Sequence, residues 1–530
     1  MFNINNNNTA PNPIVDCSFV FTTALKDMFE SNLSLSSCLS LPLSPTYTHD
    51  SSSSNSDQEE YNLVFSEKQD LIDSAGNIID AYVQENLISF AKPTFEKDIT
   101  EHAYTVLNTQ LIPVIENNDT RETILDNILK ESLTTYFKCV MPARSIQPTA
   151  ILHSVNVETI RKQLTKLKNI PQPDQRTTEW YEFRYKYLTA SNAWKALHNK
   201  DSATYNQIVY DKCKPLDVTK YTRSVSTTSP MHWGQKYEDV SIMWYQNMYD
   251  THVDDYGCLP HPTLSFLAAS PDGINTSLGP RYGRMLEVKN IVNREITGIP
   301  KYEYWIQMQL QMEVCELDEC DFLETRFKEY ETEEEFLEDG TFTTTHDGKH
   351  KGIIMYFVKE NKPYYIYAPW QISQDDFNIW EASMMEKHKD LYWIQNLYWK
   401  LDEISCVLVV RNKEWFNAAK PKFQEVWNTI EKERTTGYEH RAPKKKMKKN
   451  EAKSNNTKNN DGISTGKCFI HIQQMQTNET TQNCVKSEKS EKSEKKEKES
   501  EPPAKKQKTL TISVSTEALK DASIDLQCML

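Results

Sequence analysis

The sequence predicts an α/β (α+β) protein, a mixed sheet flanked by helices, with a helical region before it and low-complexity segments at both ends. Three observations point there. Across residues 171–435, short runs of strand character alternate with segments of helical period. Aromatic residues make up 11% of the 530 positions, enough for a substantial core. Hydrophobic residues reach only 38%, so part of the chain is expected outside that core.

Residues 1–60 are rich in asparagine and serine, with asparagines at 5–8 and serines at 51–54. They cannot bury enough apolar area to offset the entropy of ordering, so disorder is expected, with short-helix character at 18–29. Residues 61–170 read as helical: Ile72, Ile79 and Val83, and later Ile124, Ile128 and Tyr136, recur at helical spacing. Within 171–435, strands are expected at 266–269 and 285–289, a hairpin at 352–358 and 364–368, and a strand at 407–410. Ser373 and Asp376 form a capping box that is expected to open a long helix reaching about Leu401. A closing helix is expected over 412–433. Residues 436–530 are dominated by Lys, Glu, Ser and Asn and read as a disordered tail.

The net charge of −14 is unevenly spread. Residues 441–510 hold 18 lysines and arginines against 9 acids, a local +9, and leave −23 on the rest. A uniformly basic nucleic-acid surface is thereby excluded; a local basic groove or a metal-lined acidic site is not. No run of 18 apolar residues suggests a spanning helix, and the first residues lack the pattern of a secretory signal. Eleven cysteines without a CxxC pair read as reduced thiols of cytosol or nucleus. The lysine clusters Lys444, Lys445, Lys446, Lys448, Lys449 and Lys505, Lys506, Lys508 read as nuclear-import signals or non-specific DNA contacts. A cytoplasmic location is the second choice. The segment 462–467 is one residue short of a P-loop and lacks its strand–loop–helix context.

The strongest chemical signal is a set of carboxylates. Ser270-Pro271-Asp272-Gly273 forms a turn after a strand, and Glu287-Val288-Lys289 follows 15 positions later. Alternation along a strand puts Glu287 and Lys289 on one face beside Asp272, with Val288 on the other. Two carboxylates and an ammonium there make sense around a divalent cation. Oxygen ligands suit Mg2+, and the lysine can orient or help deprotonate an attacking water. A glutamate–lysine pair alone would be an ordinary strand-edge ion pair; the Pro-Asp-Gly turn at this interval is what raises its weight. Glu238, on a helix opened by Gly234, is a third carboxylate within reach. Gln307, on a helix with Gln309 and Gln311, can hold a water. Upstream, Arg184 and Ser191 suggest an anion site, with Ser191 read as the N-cap of a helix over 192–198.

Arg176-Thr177-x-Glu179-Trp180-x-x-x-Arg184, Thr189-Ala190-Ser191, Gly234-x-x-x-Glu238, Ser270-Pro271-Asp272-Gly273, Glu287-Val288-Lys289 and Gln307-x-Gln309, in this order, resemble the lambda-exonuclease or YqaJ-like viral recombinase family. That family belongs to the PD-(D/E)XK nuclease superfamily, with viral alkaline nucleases as relatives. The similarity runs over 175–322, extending to about 434. Any one of these motifs is weak; six in order are specific.

The resemblance implies a restriction-endonuclease-like core over 171–435. It implies that Asp272 and Glu287, with the Val288 carbonyl, are metal ligands, that Lys289 is the catalytic lysine, and that Glu238 serves a second metal. Gln307 would position water, and Arg184 and Ser191 would bind the 5′-phosphate of a DNA end. The implied cofactor is Mg2+, with Mn2+ as a substitute. The implied activity is a 5′→3′ DNA exonuclease on duplex ends in viral or mobile-element recombination and replication. A single-strand-annealing or single-strand-binding protein is a further expected partner, no membrane is expected, and the family assembles as a trimer. The rival readings are a structure-specific endonuclease on the same fold and a non-catalytic DNA-binding scaffold. The acidic segment 329–351 and residues 61–170 have no assigned counterpart.

Overall fold

A computed structural model describes residues 65–149, 156–217 and 226–443. The expectations for residues 1–60, for 462–467 and for the lysines at 444–449 and 505–508 lie outside the described residues.

The chain begins with three long helices, α1 (Phe65–Glu85), α2 (Phe95–Leu111) and α3 (Asn118–Cys139). They are followed by α4 (Val157–Lys168) and α5 (Thr178–Tyr185). Strand β1 (Leu188–Thr189), the one-turn α6 (Ala190–Ala193), α7 (Ala203–Cys213) and the long α8 (Pro230–Tyr249) come next. Four short strands follow, β2 (Val253–Asp254), β3 (Leu259–Pro260), β4 (Leu267–Ala269) and β5 (Gly273–Asn275). Strand β6 (Met285–Asn290), α9 (Tyr302–Cys315) and β7 (Glu319–Glu329) form a parallel crossover unit. The chain continues with α10 (Glu333–Glu338), β8 (Lys351–Lys359), β9 (Lys362–Tyr367), α11 (Gln374–Lys387), β10 (Tyr392–Val410) and α12 (Lys413–Thr436).

Seven strands make one mixed sheet in the order β2-β5-β6-β7-β10-β8-β9, and β1-β4-β3 make a second, smaller one. Helices cover the large sheet on both faces. Leu286 and Val288 of β6 face α8, where Tyr237, Val240 and Trp244 bury against them. The alternate residue Met285 joins the core beneath α9. This is the expected class, a mixed sheet flanked by helices.

The expected N-terminal helices are present, and they share the main core. Trp305 of α9 meets Phe90 at 5.6 Å and Trp415 of α12 at 5.0 Å between ring centres. Its indole N–H donates to the Arg144 carbonyl at 3.0 Å, and Arg144 in turn donates to the carbonyls of Ala91 and Pro300. No helix among the described residues is long and apolar enough to cross a membrane. The six described cysteines carry free thiols.

Four expectations about local structure are corrected. The helix capped by Ser373 ends at Lys387 instead of Leu401, and residues 392–410 are one 19-residue strand. Pairing decides this: β10 bonds β8 along its first half and β7 along its second, and Trp399 and Leu401 bury at alternate positions. A run that fits either period goes to the strand when both neighbours are strands. The hairpin turn is shorter than expected, with only Glu360 and Asn361 between β8 and β9, both at positive φ as a two-residue turn requires. Helix α8 starts at Pro230, capped by Ser229, so Gly234 lies inside it; its buried face is Tyr237, Val240, Ser241, Trp244 and Tyr245. Ser191 is not an N-cap: it is the second residue of the one-turn α6, and Thr189 precedes that turn.

The acidic segment 329–351 folds around its own small core of Phe336, Ile353, Ala368 and Phe377. The buried Lys351 ammonium donates to the carbonyls of Phe336, Asp339 at 2.6 Å and Thr341 at 2.8 Å, which ties the loop shut.

Candidate active site

Strand register assembles the site. In the antiparallel pair β5–β6, Gly273 faces Leu286, so Asp272 comes opposite Glu287. Asp272 Oδ2 accepts a hydrogen bond from the Val288 N–H at 2.8 Å. The glycine after Asp272 is needed for room: a Cβ there would meet Val253 Cγ1 at 2.1 Å.

Glu287 is fully buried. Its Oε1 accepts from Gln307 Nε2 at 2.6 Å and its Oε2 from Gln311 Nε2 at 2.6 Å. The Lys289 ammonium also donates to Glu287 Oε1 and, at 3.2 Å, to the Val288 carbonyl. Burial, and then the Asp272 carboxylate, push the Glu287 carboxyl up to about 7. Burial works against charge on Lys289, but Glu287 and Asp272 outweigh it and hold the ammonium above its ordinary range.

Helix α8 brings Glu238 to the same cleft. Asn290, at the end of β6, donates to the Gly234 carbonyl at 2.7 Å and accepts from Ser241 at 2.7 Å, which pins the helix to the strand. Burial, then Asp272, push Glu238 up to about 8, with Arg176 pulling back through an ion pair at 3.2 Å. A cleft of 620 Å³ runs over Glu238, Asp272, Val288 and Lys289 to Arg294 and Tyr304. A second, of 590 Å³, shares Gln235 and Glu238 with it and is walled by Arg176, His232, Tyr364, Tyr365 and Tyr367.

The residues expected to form an anion site come together through the smaller sheet. In the parallel pair β1–β4, Thr189 faces Ala268. Ser191 and Ser270 lie two residues beyond that pair, and Arg184 on α5 reaches both. Its guanidinium donates to Ser270 Oγ at 3.3 Å and Ser191 Oγ at 3.1 Å, and stacks over Trp180 at 4.3 Å. Gln311 Nε2 also donates to the Ser270 carbonyl at 3.0 Å, so one side chain links this cluster to Glu287.

Sequence reasoning put Gln311 on one helix face with Gln307 but assigned it no role, and assigned none to Ser270 or Arg176. The Gln-x-Gln pair drew attention to Gln309, but that side chain points away, to the Val410 carbonyl and the Asn412 N–H. The signal for Gln311 was its spacing of four from Gln307, which places both on one helix face.

The donor set fits a hard divalent cation in its chemistry: the carboxylates of Asp272 and Glu287, Glu238 beside them, and the Val288 main-chain carbonyl, with burial and the Asp272 charge both favouring the protonated form of Glu287 and Glu238 where no cation is present. The Lys289 ammonium already sits on two of these oxygens, Glu287 Oε1 and the Val288 carbonyl. As the side chains stand, no three His, Cys, Asp or Glu among the described residues are gathered around one point.

The mixed sheet sets Asp272, Glu287 and Lys289 side by side on adjoining strands, the arrangement that the resemblance to PD-(D/E)XK nucleases implies. Residues 179–318 match the YqaJ-like viral recombinase domain. Over 308 residues the chain is 33% identical to an uncharacterized protein of Acanthamoeba polyphaga mimivirus; the match covers 51% of this chain and 54% of the relative. The chain thus spans about half the length of the curated relative it matches. Among solved structures it is similar to an alkaline exonuclease, LHK-Exo, of Laribacter hongkongensis, at 17% identity and a TM-score of 0.28, over 49% of this chain and 94% of that one. The same enzyme in complex with dAMP gives 18% and 0.29 over the same shares.

Proposed function

We propose that this protein is a Mg2+-dependent DNA exonuclease that acts on duplex ends from the 5′ side, in viral or mobile-element recombination. The observation that carries the reading is the Glu287 carboxylate, buried yet aimed by Gln307 and Gln311, next to Asp272 and Lys289, which line an open cleft. Burying a carboxylate is costly, and Glu287 is held there by one ammonium and two amides with a second carboxylate alongside, an arrangement that favours a cation between the two.

When bound, a divalent cation held by Asp272, Glu287 and the Val288 carbonyl, with Glu238 alongside, supplies positive charge at the scissile phosphate. The remaining work falls to the chain. Gln307 and Gln311 hold the Glu287 carboxylate in one orientation. Lys289, held as an ammonium, orients the attacking water and offsets its developing negative charge, while the proton leaves to the solvent of the open cleft. Arg184, with Ser191 and Ser270, takes the terminal 5′-phosphate and so sets how far the strand enters the cleft. The lysine clusters at 444–449 and 505–508 direct nuclear entry.

The test uses purified protein with Mg2+ on a linear duplex labelled at either 5′ or 3′ ends, beside a closed circle. The expected result is early release of the 5′ label and an intact circle. Cutting of the circle at a comparable rate would replace this reading with an endonuclease.

A further inference from the structure

A second cation holds the main chain of Arg184. Lys212 of α7 is 8% exposed, and its ammonium donates to the Arg184 main-chain carbonyl at 2.7 Å. Arg434 of α12 braces the same corner, donating to the Lys212 carbonyl at 3.0 Å and the Tyr185 carbonyl at 3.4 Å. Cations that cap the last carbonyls of α5 account for these hydrogen bonds. Capping alone does not account for Lys212, because Arg434 already serves the end of α5 at Tyr185, while the buried Lys212 is placed on the carbonyl of the one residue whose guanidinium reaches both Ser191 and Ser270. Burial, then Arg184 and Arg434, pull Lys212 down to about 7, and Cys258 and Asp211 oppose this more weakly. An anion set against Arg184 would restore the charge.

We propose that Lys212 is a positioning residue for the terminal phosphate: it holds Arg184 by its carbonyl and places a second positive charge near it, so that the pocket selects a phosphate dianion over a hydroxyl end. This rests on reading Arg184 as the terminal-phosphate contact. The charged and titratable groups around Lys212 are Arg184 and Tyr185 from α5, Arg434 and Glu433 from α12, Cys258 from the segment before β3, and Asp211 and Cys213 on its own helix. Glu433 is tied to Arg441 at 2.6 Å, and burial raises the Tyr185 phenol and both thiols. Lys212 is therefore the group of this set poised to take up a proton when a phosphate arrives above pH 7. The phosphate itself is already a dianion there, with a second pKa near ~6.

The experiment measures KM and kcat of the full chain on duplexes with 5′-phosphate or 5′-hydroxyl ends, from pH 7 to 9.5. The readout is the ratio of the two KM values, in which effects common to both substrates cancel. In the parent this ratio should fall by about tenfold or more as pH rises, since each unit through a linked titration is worth up to a factor of ~10. Lys212→Met should give a small ratio that is flat with pH, and Lys212→Arg a large one that is also flat. A parent ratio unchanged across this range overturns the proposal, whether or not Lys212→Met folds. So does a Lys212→Met protein with the parent's ratio. Arg184→Ala separates the two levels: if it keeps the preference, the phosphate-end reading itself fails.

Discussion

At the residue scale, the site divides into what strand alternation reveals and what only packing reveals. Asp272, Glu287 and Lys289 were legible because a period of two puts Glu287 and Lys289 on one face and a turn brings Asp272 opposite. Gln311 was not assigned, because a helix face is shared by many positions and the sequence does not say which reaches a carboxylate. Ser191 was found for the wrong reason: its place comes from the parallel register of β1 and β4, not from capping a helix. Gln311 offers a sharp test, since one amide serves both Glu287 and the Ser270 carbonyl. Gln311→Leu keeps the volume and removes both donors. It should lower kcat on phosphorylated duplex by roughly ten- to a hundredfold, the size of a lost contact to a charged group at ~1.5–3 kcal/mol. Parent kcat in a folded Gln311→Leu protein would show that Glu287 does not depend on it.

At the element scale, the fold follows from pairing more than from local propensity. The 19 residues of β10 run between β7 and β8, and that double pairing overrides the helical reading of 388–401. The hairpin was legible because β8 and β9 carry dense β-formers around a polar break; the shorter turn was not, since Pro363 reads as a loop residue but lies in β9, the edge strand, where its missing N–H costs no ladder bond. Gly352 of β8 faces Trp399 of β10, and a Cβ there would meet the indole at 2.4 Å. Trp399 is buried against Phe327 and Leu401, so the ring has little room to yield. Gly352→Ala should destabilise the fold by about 1–3 kcal/mol, the range for overpacking a core, in urea unfolding. An unchanged midpoint would mean that the strand pair is looser than the packing indicates.

At the scale of the whole molecule, the N-terminal helices and the large sheet share one core through Phe90, Trp305, Arg144 and Trp415. The helices themselves were legible from their apolar spacing, but their docking was not, because aromatic partners more than 200 positions apart leave no local trace. That core holds α9 in place, and α9 carries both glutamines that aim Glu287; the packing of the helical region thus reaches the chemistry through one element. The central claim is that Asp272 and Glu287 are used together in hydrolysis of a DNA strand. The most direct measurement is Mg2+-dependent nucleotide release from a linear, 5′-phosphorylated duplex by the parent, Asp272→Asn and Glu287→Gln, with folding checked by thermal unfolding. The account predicts release by the parent and a loss of at least ~1000-fold in each folded variant, the scale of removing a group that stabilises transition-state charge. Release at the parent's rate by either variant would contradict it.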